Sequence, residues 1–83
     1  MLQSMIRQPA AAKALGRPTT SFYEDIKKGL ITKPVKLSER SVAWPQLEIQ
    51  ALQQARIAGK TPDEIRQLVS KLMADRANEG GAK

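Results

Sequence analysis

Residues 16 to 28, Gly16-Arg17-Pro18-Thr19-Thr20-Ser21-Phe22-Tyr23-Glu24-Asp25-Ile26-Lys27-Lys28, decide how the remainder of the chain is read. Drawn as a helix from Pro18, the stretch puts Phe22 and Ile26 one turn apart on one side, while Thr20, Glu24, Lys27 and Lys28 project from the other. Proline suits a first helical turn because its missing N–H would have no partner there, and the Thr-Thr-Ser run can cap the remaining donors. Gly29 closes the element in a left-handed conformation. The result is a rod about 16 Å long at about 1.5 Å per residue, pinned by two apolar side chains. Its outer face of hydroxyls, a carboxylate and ammonium groups suits a DNA major groove, although such a face also serves an ordinary surface helix.

Upstream, Pro9 to Leu15 reads as a short helix, with Ala10, Ala11, Ala12 and Ala14 as strong formers and Gly16 as its stop. Only Arg17 and Pro18 separate the two helices, so together they make a helix-turn-helix. Residues 1 to 8 are a mixed lead-in, with Met5 and Ile6 as first core contacts.

Downstream, Leu30 to Pro34 is extended, because the residue before a proline is driven out of the helical region. Val35-Lys36-Leu37 and Val42-Ala43-Trp44 alternate with period 2 across the polar link Ser38-Glu39-Arg40-Ser41, which describes a small hairpin. Val35, Leu37, Val42 and Trp44 are expected inward, with Lys36 outward and Arg40 at the tip. Trp44 is the expected anchor, since a two-stranded hairpin must lean on the helices.

Pro45 opens a helix to about Ala58, with Leu47, Ala51, Ala55 and Ala58 along one side and Ile49 and Leu52 on the other. Thr61-Pro62-Asp63-Glu64 then has the form of a capping box, followed by the stripe Ile65, Leu68, Val69, Leu72 and Met73. That stripe can fold back on Ile49 and Leu52 as a helical hairpin, or pair with the same helix of a second subunit through Ile65, Leu68, Val69 and Leu72. The expected organisation is a DNA-binding domain over 1–58, an amphipathic helix over 59–77 and a fraying tail over 78–83.

The 83 residues carry net charge +6. Residues 1 to 60 hold ten basic and four acidic side chains, whereas 61 to 83 are balanced, so the excess lies with the candidate reading helix, as a polyanion-binding surface requires. The chain has no cysteine and no histidine, which removes disulfides, thiolate chemistry, imidazole bases and the commonest zinc ligands. Glu24/Asp25 and Asp63/Glu64 are adjacent pairs pointing in different directions and make no carboxylate dyad. Gly59-Lys60-Thr61 imitates the end of a phosphate loop, but Gln54 stands where that motif needs its first glycine. No window approaches the run of about 20 apolar residues that spans a bilayer. The expectation is a cytoplasmic, nucleoid-associated protein, not an enzyme, with no cofactor, metal, membrane or small-molecule substrate.

With these elements in place, the chain resembles the AlpA family of prophage transcriptional regulators, compact relatives of the MerR-like winged-helix and excisionase domains. Gly16 through Leu30 is similar to the family's Gly-Leu-Ser-Arg-Ser-Thr-Leu-Tyr-x-x-Ile-Lys-x-Gly run, and Lys33 to Leu37 with Val42-Ala43-Trp44 to its hairpin. About residues 6 to 52 are covered. Pro18 and Thr19 depart from the serine and arginine with which the family usually opens this helix. The resemblance implies sequence-specific DNA binding near promoters or attachment sites of an integrated element.

The combined expectation is a mainly α fold with a small β-hairpin: a winged helix-turn-helix of MerR/excisionase type, followed by a C-terminal helical hairpin. Thr20, Ser21, Glu24 and Lys27 would face base edges, and Arg17, Thr19, Tyr23, Lys28 and Lys36 would hold phosphates. Arg40 would reach the minor groove. The function expected is transcriptional regulation of a prophage or integrated element through double-stranded DNA. The alternatives are an excisionase that bends attachment-site DNA and a protein-interaction module that docks a partner on the Leu68/Leu72 stripe.

Overall fold

Phe22 and Trp44 meet edge to face with ring centroids 5.0 Å apart, and both are fully buried. That contact joins the helical and strand parts of a computed structural model that describes residues 4–80. In chain order these form β1 (Met5–Ile6), α1 (Gln8–Ala14), α2 (Thr19–Lys27), β2 (Val35–Lys36), β3 (Val42–Pro45), α3 (Gln46–Ile57) and α4 (Pro62–Gly80). The fold is mainly helical, with a three-stranded antiparallel sheet in the order β1-β3-β2.

The first two helices end as their glycines dictate. At Gly16 (φ +69°), the amide of Arg17 donates to the Ala12 carbonyl at 2.9 Å; at Gly29 (φ +80°), the amide of Leu30 donates to the Asp25 carbonyl at 2.8 Å. Each bond turns the chain sharply after its helix and satisfies a carbonyl of the last turn. The expected cap of α2 is corrected. Pro18 itself is the N-cap, and no side chain of the Thr-Thr-Ser run bonds the first-turn amides.

The sheet also differs from expectation. Met5 pairs with Pro45 and Ile6 with Trp44, so the lead-in supplies a strand. Met5 is more than a third exposed, while Ile6 packs against the core. On the other edge, Val35 lies opposite Ala43 and Lys36 opposite Val42, so Val35 shares a face with Ala43 and not with Val42. Leu37, expected inward, is half exposed, because the register puts it on Val35's face, away from Val42 and Trp44 and just past the last ladder pair, with its amide donating to the Ser41 carbonyl at 2.8 Å. Ala43 and Trp44 are both fully buried: β3 is the central strand, covered on both faces. The Trp44 indole Nε1 donates to the Thr32 carbonyl at 2.8 Å, fixing the extended segment before β2.

Ile49, Leu52 and Ala55 of α3 are buried in the same core as Phe22 and Trp44, whereas Leu47 and Ala58, expected on the apolar arc, face outward. α4 begins as read. The Thr61 hydroxyl accepts from the Glu64 amide at 3.2 Å, and the Glu64 carboxylate accepts from the Thr61 amide at 2.9 Å. That backbone bond, with Lys60 nearby, holds the Glu64 carboxyl below its ordinary value. The stripe folds back in cis. Ile65 and Val69 are buried in the core, and Leu68, Leu72 and Met73 are partly covered. Two full burials contribute about 4 kcal/mol of transfer free energy before entropy, less than burial of all five side chains would. The helix continues to Gly80, into the stretch read as a tail; residues 81–83 lie outside the described residues.

Candidate nucleic-acid interface

α2 presents a continuous outward row. Thr20, Tyr23, Glu24 and Lys27 are exposed, at spacings of three and four residues that keep them on one side of a helix. Tyr23 is 42% exposed and packs the edge of its ring on Phe22, with centroids 5.6 Å apart, so its phenol is held outward by a buried neighbour. Ser21 is half-buried at one margin of the row, and Lys28 is exposed at the C-cap. Thr19 is exposed and accepts from Gln8 Nε2 at 3.3 Å, which links the starts of α1 and α2. The first turn carries no acidic residue and no side-chain cap, so its amides and hydroxyls present a partial positive end.

The opposite face of α2 holds a residue that reading adjacent carboxylates had set aside. Asp25 is 3% exposed and accepts from Arg17 Nε at 3.0 Å, from Arg17 Nη2 at 3.4 Å and from Arg56 Nη2 at 3.3 Å. One carboxylate on α2 thus binds the α1–α2 turn and the last turn of α3, fixing the rotation of α2 about its own axis. The signal was available: Phe22, Asp25 and Ile26 recur at i, i+3 and i+4, which places Asp25 on the apolar stripe. Arg17 therefore commits two nitrogens to Asp25, and its side chain as a whole stays partly exposed.

Further exposed cations stand on the hairpin. Lys36 is exposed on β2, and Arg40 is exposed in the Ser38–Ser41 turn. Glu48, buried at the start of α3, is bound by Arg76 of α4 through bonds of 2.7 and 2.6 Å. Asp25 and Glu48 are two of the four acids in residues 1 to 60, and both are buried and paired. Exposed in that part of the chain are only Glu24 and Glu39, against Arg7, Lys13, Lys27, Lys28, Lys33, Lys36, Arg40 and Lys60. The eight exposed bases and two exposed acids sum to +6, the same excess as the composition of this part of the chain, so pairing the buried acids leaves the net cationic surface intact.

Of the residues read as a dimer stripe, Ile65 and Val69 lie in the chain's own core, and Leu68 and Leu72 keep partly exposed edges. Among the described residues no group of three or more acidic side chains is arranged to hold a metal ion, and no helix is long and apolar enough to cross a membrane.

No curated protein and no solved structure matches this chain. Residues 4–57 do match a family model, that of the Prophage CP4-57 regulatory protein (AlpA), over the span from β1 to the end of α3. The chain is a member of the AlpA family of prophage regulatory proteins.

Proposed function

We propose that the protein is a sequence-specific double-stranded DNA-binding regulator of a prophage or integrated element, working as a winged helix-turn-helix. α2 lies in the major groove, and the β2–β3 hairpin follows the backbone into the adjacent minor groove. Thr20, Ser21, Glu24 and Lys27 face base edges, Glu24 accepting from a cytosine amino group and Lys27 donating to guanine. Thr19, Tyr23, Lys28 and Lys36 hold phosphates, Arg17 adds its outer guanidinium nitrogen, and Arg40 reaches a narrow A·T-rich minor groove.

The observation that carries this reading is the row Thr20, Tyr23, Glu24, Lys27 standing outward from a helix whose other side is locked by Phe22 and Asp25. A reading helix must be rigid, because a base contact is lost with a displacement of about 1 Å. The exposed cations of residues 1 to 60 provide the phosphate attraction that such complexes need. The cytoplasmic, nucleoid-associated location follows from that partner.

The test is selection of genomic fragments by the purified protein, followed by footprinting. Isolated protected sites at promoters support transcriptional control, whereas cooperative loading and strong bending at attachment sites assign the excisionase role. Absence of binding to any duplex at low salt would overturn the reading in favour of a protein-interaction module.

A further inference from the structure

We propose that α4, which lies beyond the matched residues 4–57, is a positioning element for the DNA face: through Arg66 and Arg76 it holds both ends of the segment joining α2 to the hairpin. This inference rests on the DNA-binding reading above. Arg66 Nε donates to the carbonyl of Lys28, the C-cap of α2, at 2.8 Å, and its aliphatic stem lies beside Gly29. Ten residues along the same helix, Arg76 Nη2 donates to the carbonyl of Lys33 at 2.6 Å and to the Glu48 carboxylate at 2.6 Å. Lys28 is the C-cap that closes α2, and Lys33 stands two residues before β2.

The middle of this segment is held independently of α4. Ile31 and Thr32 are buried, and Trp44 fixes the Thr32 carbonyl. The ends are where the segment would swing, and both end carbonyls are held by guanidinium groups on one rigid rod, about 15 Å apart at 1.5 Å per residue. Covering the core does not require either arginine, since Ile65 and Val69 do that. Arg66 also places a positive charge on the carbonyl end of α2, the sign its dipole favours. α4 thereby sets the distance and angle between the groove helix and the hairpin, and both must be right for base contacts and minor-groove entry to occur together.

The test measures the full-length protein by fluorescence anisotropy on its selected site and on an unrelated duplex, across a salt series. Arg66→Ala removes a side chain that is nearly half exposed, so folding, checked by circular dichroism and Tm, is expected to persist. Affinity for the selected site is expected to fall by about tenfold, the scale of one good base contact, while affinity for the unrelated duplex and the salt slope hold. Equal weakening on both duplexes with a slope reduced by about one would make Arg66 a phosphate contact and overturn the proposal. Unchanged affinity on both would overturn it too and leave the DNA reading standing, whereas a wild-type protein that binds no duplex would remove the DNA reading itself. Should Arg66→Ala unfold, Arg66→Met keeps the stem against Gly29, lacks the donor, and is expected to show the same selective loss.

Discussion

Arg17 and Asp25 form a two-point ion pair in which Nε lies 3.0 Å from Oδ2 and Nη2 lies 3.4 Å from Oδ1, with the Asp25 side chain almost wholly buried and that of Arg17 partly exposed. Arg56 reaches the same oxygen Oδ2 from α3 at 3.3 Å. The α1–α2 turn, α2 and the end of α3 therefore share one carboxylate. Removing the carboxylate leaves two guanidiniums facing one another with no counter-charge, whereas removing Arg17 leaves Asp25 with Arg56. Asp25→Ala is expected to cost about 3 kcal/mol and Arg17→Ala about 1 kcal/mol in urea unfolding. Equal losses would mean that the three groups do not act as a unit.

Trp44 combines packing and polar roles. Trp44→Phe keeps an aromatic ring against Phe22 but leaves the buried Thr32 carbonyl without its donor, and is expected to cost about 2 kcal/mol. Trp44→Ala adds a cavity at the centre of the core, for a loss of about 4 kcal/mol. Thermal unfolding of both variants checks the order.

On DNA, the two classes of contact are expected to separate. Lys28→Ala should weaken every sequence alike, whereas Glu24→Ala should relax preference at one base pair, each by about 1 to 3 kcal/mol at most. With about five phosphates neutralised, log affinity should fall with log salt at a slope near −4 to −5. A salt-independent binding constant in the same titration would exclude the interface.

The capping box at α4 gives a pH dependence whose sign follows from the lowered Glu64 carboxyl. The folded state binds this proton less readily than the unfolded chain. Its contribution is therefore complete above the ordinary carboxylate range and lost as pH falls through the lowered value. Helicity followed from pH 7 downward should decline in the wild type, and the Glu64-dependent part should vanish in Glu64→Gln, whose amide can still bond the Thr61 amide at every pH. Because the carboxylate is fully exposed, the effect belongs to the first turn of α4 and is weakened by salt. Thr61→Ala, which removes the other half of the box, is expected to cost about 1 kcal/mol.

Local chemistry is what the sequence determined alone: where α1 and α2 stop, that Pro45 leads into a helix, that Thr61 and Glu64 begin another, and that Phe22 turns inward while Thr20 and Lys27 turn outward. Each follows from a glycine, a proline or a period within one turn of chain. The AlpA resemblance was legible for the same reason, carried by Tyr23, Gly29, Pro34 and Trp44 at set spacings. Tertiary structure alone decided the partners. Met5 and Ile6 are too few to show a strand period and become β1 only because the free edge of β3 offers them hydrogen bonds. Leu37 is outside because register is set by the turn, and a shift of one residue reverses every face. Periodicity can place Asp25 on the buried stripe but cannot name Arg56, 31 residues away, as its second partner, nor the carbonyls of Lys28 and Lys33, 38 and 43 residues away, that Arg66 and Arg76 brace.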